Sequence, residues 1–254
     1  MDIGVPAGTL VGFCAALVRT TAWIVVCPPF NAPAVPKRVR VGLATAIAFV
    51  IAGDLRLADD VASITAGGFI LALLIQALAG MALGFAVYAL FAAIQAAGDL
   101  IDLQIGFSIG AVFDPLSGAQ ASPVGRLHQM LAIVLLLGLN GHVMVVSGYL
   151  RSVAAVPDGS IDLAVLGHEL IRIASAFLVA AVEIALPVLA ALFCTEVALG
   201  LIGKAAPQMN ILVLGFAAKS AVALVLVGAT LVLLPEATES VIGRAITGIA
   251  RAFG

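Results

Sequence analysis

Gly106-Phe107-Ser108-Ile109-Gly110 fits the pattern G-x-S-x-G. In a nucleophile elbow that spacing lifts a serine hydroxyl out of a strand–turn–helix corner, beside a histidine base and a backbone oxyanion hole. His128 or His142 would be the base, and Asp99, Asp102 or Asp114 could orient it. The flanking residues do not read as a strand and then a helix, so an intramembrane serine hydrolase built on Ser108 is the least favoured reading. His168-Glu169-Leu170-Ile171-Arg172 begins like the zinc-protease pattern H-E-x-x-H, but a cation, Arg172, stands where the second ligand belongs. On one helix His128 and His142 would be about 21 Å apart, too far to share a metal. No glycine-rich phosphate loop of the forms G-x-x-x-x-G-K-[ST] or G-x-G-x-x-G occurs. No catalytic residue, metal ligand or cofactor is assigned.

Ionisable groups inside apolar runs carry more weight. Arg19, Glu183, Glu196 and Lys219 each interrupt such a run. A charge in lipid is costly, so each is expected to face protein or water, often in a pair. Glu183 or Glu196 with Lys219 is the expected pair, since their segments are consecutive. A proton- or ion-coupled secondary transporter would use these three residues, and would be expected to show inverted repeats. None is visible, nor is a carboxylate–histidine relay. A structural ion pair that fixes helix register is preferred. Asp99 and Asp102 lie one turn apart on one helix face. They could form a cation or proton site, but a cap and loop anchor is the preferred reading.

The elements that position these groups follow from composition. The chain has 254 residues, of which 10% are charged and 63% hydrophobic, and its mean hydropathy is +1.23. Soluble domains carry about 25% charged residues. Too few charges are present to cover a water-facing surface, which excludes a soluble enzyme, a disordered chain and a coiled coil. The net charge of -2 offers no basic footprint, so no nucleic-acid partner is expected. What remains is an all-α integral membrane protein.

About six hydrophobic helices are expected, at 8–26, 39–52, 67–91, 127–150, 170–200 and 211–234. The second is marginally short. A helix over 127–150 would be about 36 Å long, enough for a core of about 30 Å. Pro28, Pro29, Pro33 and Pro36 predict a rigid extended loop over 28–38. Residues 98–126 are too apolar for a solvated loop and too broken for a clean helix. Such backbone is tolerated in a membrane where protein buries it or where it lines a cavity. Residues 235–254 read as an amphipathic tail with Arg244 and Arg251 at the membrane surface. Basic residues divide equally between the two sides of this six-span arrangement, so they do not set an orientation. Gly80 and Gly84 make a G-x-x-x-G, and small residues recur throughout, which points to close helix packing. Cys14, Cys27 and Cys194 read as reduced core thiols. The N-terminus lacks a basic region and a small-residue cleavage site, so no cleaved signal peptide is expected.

Several strings, in order, resemble the FliR family, the flagellar type III export-gate subunit also found as SctT in injectisomes. They are Leu17-Val18-Arg19, Pro28-Pro29-Phe30, the run from Val35 to Leu43, the run from Ala97 to Ser108, Phe113-Asp114-Pro115, Leu139-Asn140-Gly141-His142, Leu186-Pro187-Val188, and Leu199-Gly200-Leu201 followed by Ala206-Pro207-Gln208-Met209-Asn210. The resemblance implies a non-enzymatic gate subunit in the bacterial inner membrane at the flagellar basal body. It implies assembly with FliP and FliQ homologues in lipid, FlhB and FlhA nearby, and unfolded export substrates passing through the centre. It also implies a FliP-like half, 1–160, fused to a FliQ-like hairpin and tail, 165–254, whose hairpins do not all cross the bilayer straight. That would account for the undecided charge balance. Residues 106–121 would be a plug closing the channel. Gly106, Gly110 and Gly118 would let it turn, Phe107, Ile109, Val112 and Phe113 would fill the lumen, Ser108 would lie within it, and Asp114-Pro115 would be a rigid corner. An apolar constriction blocks ions by excluding water.

Overall fold

A computed structural model describes residues 7–32, 35–53, 55, 65–107, 122–155 and 163–229. Among these every regular element is helical. The helices are α1 (Ala7–Val26), α2 (Pro28–Asn31), α3 (Lys37–Ile51), α4 (Ala66–Ile105), α5 (Pro123–Gly138), α6 (Gly141–Ala155), α7 (Leu163–Ala205) and α8 (Ile211–Ala229). Four described helices, α1, α4, α7 and α8, are long and apolar enough to cross a membrane, or five spans if the broken pair α5–α6 counts as one. The protein is thus an all-α integral membrane protein.

Three local expectations change. The single helix over 127–150 is broken at Leu139-Asn140, because Asn140 takes a left-handed φ of 56° and Gly138 and Gly141 flank it. The start of the proline-rich segment is a short helix rather than extended chain. Pro28 and Pro29 occupy its first turn, where their missing N–H groups would have had no helical partner anyway. The apolar segment over 98–126 begins as regular helix, since α4 continues to Ile105. The marginal second span is a helix of 15 residues, about 22 Å long and short of the hydrocarbon thickness. By contrast α4 and α7, with 40 and 43 residues, are about 60 and 65 Å long, twice what a crossing needs. Pro187 lies within α7 without ending it.

The chain forms two compact units, both discontinuous in sequence. The first combines described residues of 7–90 and 140–174. Here α1 packs against α3, and a Cβ at Gly12 would come within 2.9 Å of the Ala52 carbonyl oxygen. Gly80 and Gly84 form the groove on α4 that receives α1. A Cβ at Gly80 would collide with the Arg19 carbonyl oxygen, and one at Gly84 would stand 2.8 Å from Val26 Cβ and 2.9 Å from the Trp23 carbonyl oxygen. Without side chains at these points the backbones touch, which is how helices gain packing energy in lipid. Trp23 stacks on Tyr149 at 4.4 Å between ring centroids and meets Phe30 at 5.1 Å.

The second unit combines described residues of 91–139 and 175–229. Its core joins Ala97, Ile101 and Ile105 of α4, Ala185, Val188 and Leu192 of α7, and Ala223 and Val227 of α8. Spacings of three and four residues put each set on one helix stripe. Between α7 and α8 the chain turns at Ala206–Asn210, where Asn210 Oδ1 accepts the Val213 N–H as a cap, and Gly203 makes room for the Ile211 side chain.

Candidate functional site

In the first unit Arg19 is fully buried. Its guanidinium donates to Gln76 Oε1 on α4 at 3.4 Å, and to the carbonyl oxygen and hydroxyl of Ser152 on α6 at 3.3 and 3.4 Å. Ser152 belongs to the last turn of α6, where carbonyls have no acceptor role left inside the helix and the helix dipole is negative. The adjoining polar groups form a chain. Thr20 Oγ1 donates its single proton to the Ala16 carbonyl at 2.7 Å, so the Tyr149 hydroxyl, 2.7 Å away, is the donor to Thr20. Arg40 had not been singled out by its spacing. Its guanidinium holds the proline-rich turn through Asn31 Oδ1 at 2.6 Å and the carbonyls of Ala32 and Val35 at 2.8 and 3.1 Å. A run of prolines with an arginine a few residues later was the available signal. The turn gathers carbonyl oxygens with lone pairs to spare, and a planar five-donor cation suits them.

The second unit contains the complementary arrangement. Asp102, in the last turn of α4, is 1% exposed. Its Oδ2 accepts the Ser122 hydroxyl at 2.8 Å and the N–H groups of Val124 and Gly125 at 2.9 and 3.1 Å. The Ser122 hydroxyl also bonds Asp99 Oδ1. Asp102 therefore caps α5, whose first N–H groups have no partner within their own helix, and Asp99 reaches the same helix end through Ser122. Backbone meets backbone beside them, because a Cβ on Gly98 would overlap Gly125. His128 is buried against the same place, with neither ring nitrogen hydrogen-bonded among the described residues.

Of the expected plug residues, Gly106 and Phe107 are described. Ser108, Ile109, Gly110, Val112, Phe113, Asp114 and Pro115 lie outside the described residues. Gly106 ends α4 with φ 102°, a conformation suited to glycine. Its N–H and that of Phe107 both bond the Asp102 carbonyl, at 3.0 and 3.1 Å. Phe107 packs on the core stripe and meets Phe216 edge-on at 5.7 Å.

Glu196 and Lys219 are brought together, Oε1 to Nζ at 3.1 Å. Gln104 joins them, donating to Glu196 Oε2 at 2.9 Å. All three flank the core stripes by three or four residues, which aims them at one another across the helix seam. Glu183, the other candidate partner for Lys219, is exposed. It sits two residues before Ala185, about 200° around α7 from the core stripe, and makes no ion pair among the described residues. The H-E-x-x-R motif is an ion pair within α7, Glu169 to Arg172 at 2.6 Å.

Among the described residues these arrangements hold helices together. Residues 10–245 match the model for bacterial export proteins, family 1. The chain is 35% identical to the flagellar biosynthetic protein FliR of Escherichia coli strain K12, over 88% of this chain and 85% of that protein. It is 33% identical to the FliR of Pectobacterium carotovorum over 87% and 85%. It is also 31% identical to Yop proteins translocation protein T of Yersinia pestis, over 61% of each. With a match over nearly its whole length and helices built to lie in a membrane, this chain belongs to family 1 of the bacterial export proteins.

Proposed function

We propose that the chain is a non-catalytic subunit of a flagellar type III protein export gate in the bacterial inner membrane, at the basal body. The observation that carries this is the family match together with flagellar relatives at 33 and 35% identity over almost the whole chain. The flagellum is favoured over the injectisome because the Yersinia relative matches over 61% of the chain against 87 and 88% for the flagellar ones. In this reading the chain joins FliP and FliQ homologues, with FlhB and FlhA nearby, around a path for unfolded substrates. Exposed apolar residues along α7 and α8, including Leu186, Phe193, Leu201, Leu212 and Leu224, support a chain surrounded by lipid and partner helices. Residues 1–160 would correspond to FliP and 165–254 to FliQ. Each compact unit draws on both of these segments.

The segment 106–121 is the channel plug in this proposal, with Ile109, Val112 and Phe113 as its apolar filling; Phe107, expected among them, instead packs on the helix core. Gly106 and Phe107 support it by ending α4 sharply and starting the segment from a packed base. The test is native mass spectrometry of the tagged chain co-expressed with its host's FliP and FliQ counterparts. A single copy in a defined multi-subunit complex is expected, and a solitary monomer or dimer would overturn the reading. Deleting Ile109–Phe113 should then leave the complex intact and make cells leak small ions.

A further inference from the structure

Asp102 sits where its own helix does not want it. A carboxylate in the last turn faces the negative end of α4. Nor does α5 need a foreign cap for want of its own, since Ser122 and Pro123 are the residue types that begin helices unaided. Yet the Ser122 hydroxyl makes no bond to its own helix and turns to Asp99 and Asp102, while Asp102 takes the Val124 and Gly125 N–H groups. These bonds join positions 22 and 23 residues apart, on either side of the intervening segment. The contact beneath them is between glycines, Gly98 on Gly125. Two small, smooth helix faces have little to stop them sliding along each other in lipid. A carboxylate holding a hydroxyl and two backbone N–H groups is directional and charge-assisted, and does stop them.

We propose that Asp102 is a positioning residue. With Ser122 and Asp99 it clasps the start of α5 to the end of α4, and so holds Phe107 and Ser122 at a set separation. Given the plug reading above, on which this consequence rests, releasing the clasp opens the channel although every residue of the plug is still present.

The experiment uses the whole complex with the chain's FliP and FliQ counterparts. Cys14, Cys27 and Cys194 are replaced by alanine and spin labels are attached at Leu103→Cys and Arg126→Cys, both exposed. Electron paramagnetic resonance then reports the spread of distances between the helix ends, and ion leak is measured in cells carrying the same variants. The parent should give one narrow distance and no leak. Asp102→Leu should broaden the distance and raise the leak about tenfold, on the scale of losing a charge-assisted bond. Asp102→Asn keeps an acceptor oxygen and should fall between, and Ser122→Ala should change least.

A narrow distance in Asp102→Leu would overturn the clasp. So would a broad distance without leak, if deleting Ile109–Phe113 does leak. If that deletion is itself tight, the plug reading fails, and the spin-label distances alone decide whether Asp102 holds the helix ends. Loss of the complex in both Asp102→Asn and Ser122→Ala would make the cluster an assembly requirement and would also overturn the proposal.

Discussion

Arg19 and Asp102 solve the same problem with opposite signs. Each is a fully buried charge in an apolar helix, and neither is held chiefly by an ion pair in the contacts described. Arg19 reaches the carbonyl end of α6, and Asp102 reaches the N–H end of α5. The two ends of a helix carry partial charges of opposite sign and leave different backbone groups unsatisfied. A cation is therefore solvated at one end and an anion at the other. The Arg19 contacts are longer, 3.3 to 3.4 Å, and are shared with the side chains of Gln76 and Ser152. The Asp102 contacts are shorter, 2.8 to 3.1 Å, and mostly to backbone. The anion is thus the more tightly held of the two, and its backbone partners, Val124 and Gly125, cannot be removed by changing a side chain.

Sign reversal breaks this comparison most severely. Arg19→Glu sets a carboxylate against carbonyls and Asp102→Lys sets an ammonium against N–H groups. Each leaves a buried charge uncompensated, about 3–5 kcal/mol. Neither variant should accumulate as folded protein in fluorescence-detected gel filtration of detergent extracts. Next, Gly80→Leu forces a side chain into the Arg19 carbonyl and should cost roughly 1–3 kcal/mol or more by overpacking. Gly42→Ala, which meets nothing within 4 Å, should be neutral or gain up to about 1 kcal/mol of helix propensity. Thermal unfolding of the two glycine variants side by side measures the gap.

Truncation without reversal sharpens the contrast. Arg19→Met removes a donor and leaves Gln76 and Ser152 acceptors that retain other lone pairs, whereas Asp102→Leu strands two N–H donors. Both should cost about 1–3 kcal/mol, with Asp102→Leu the larger, by the shift in unfolding midpoint. Smaller again is Tyr149→Phe, about 1 kcal/mol, because Thr20 keeps its bond to Ala16.

The least disruptive test is chemical. Cys27 is buried beside this first cluster, and burial pushes its thiol pKa up, so it stays in the unreactive protonated form. Cys194 is exposed. Membrane-permeant maleimide should label Cys194 first and Cys27 last, and rapid labelling of Cys27 would mean that the Trp23–Tyr149 core opens readily.

Much of the fold was legible in advance. Long charge-free runs marked the membrane helices, and the Gly80/Gly84 spacing marked a close helix approach. Lys219 with Glu196 was foreseeable because an ionised group in an apolar run needs an opposite one nearby. The break at Asn140 was harder to see, since the charge-free run continues through it and only a left-handed residue between glycines betrays it. Which of Glu183 and Glu196 would pair with Lys219 was not legible, because an apolar run hides which face of a helix is covered. Counting from Ala185 resolves this only once the core stripe is known.

The sequence by itself determined the solvent, the helical class and the family, because all three depend on residue type and order. Only the tertiary structure decided where Arg19 and Asp102 find their partners. Those partners are largely backbone atoms at helix ends, which every residue carries alike and no side-chain pattern announces. The Arg19–Ser152 contact spans 133 positions in the chain. It exists only because folding brings the end of one helix to the side of another.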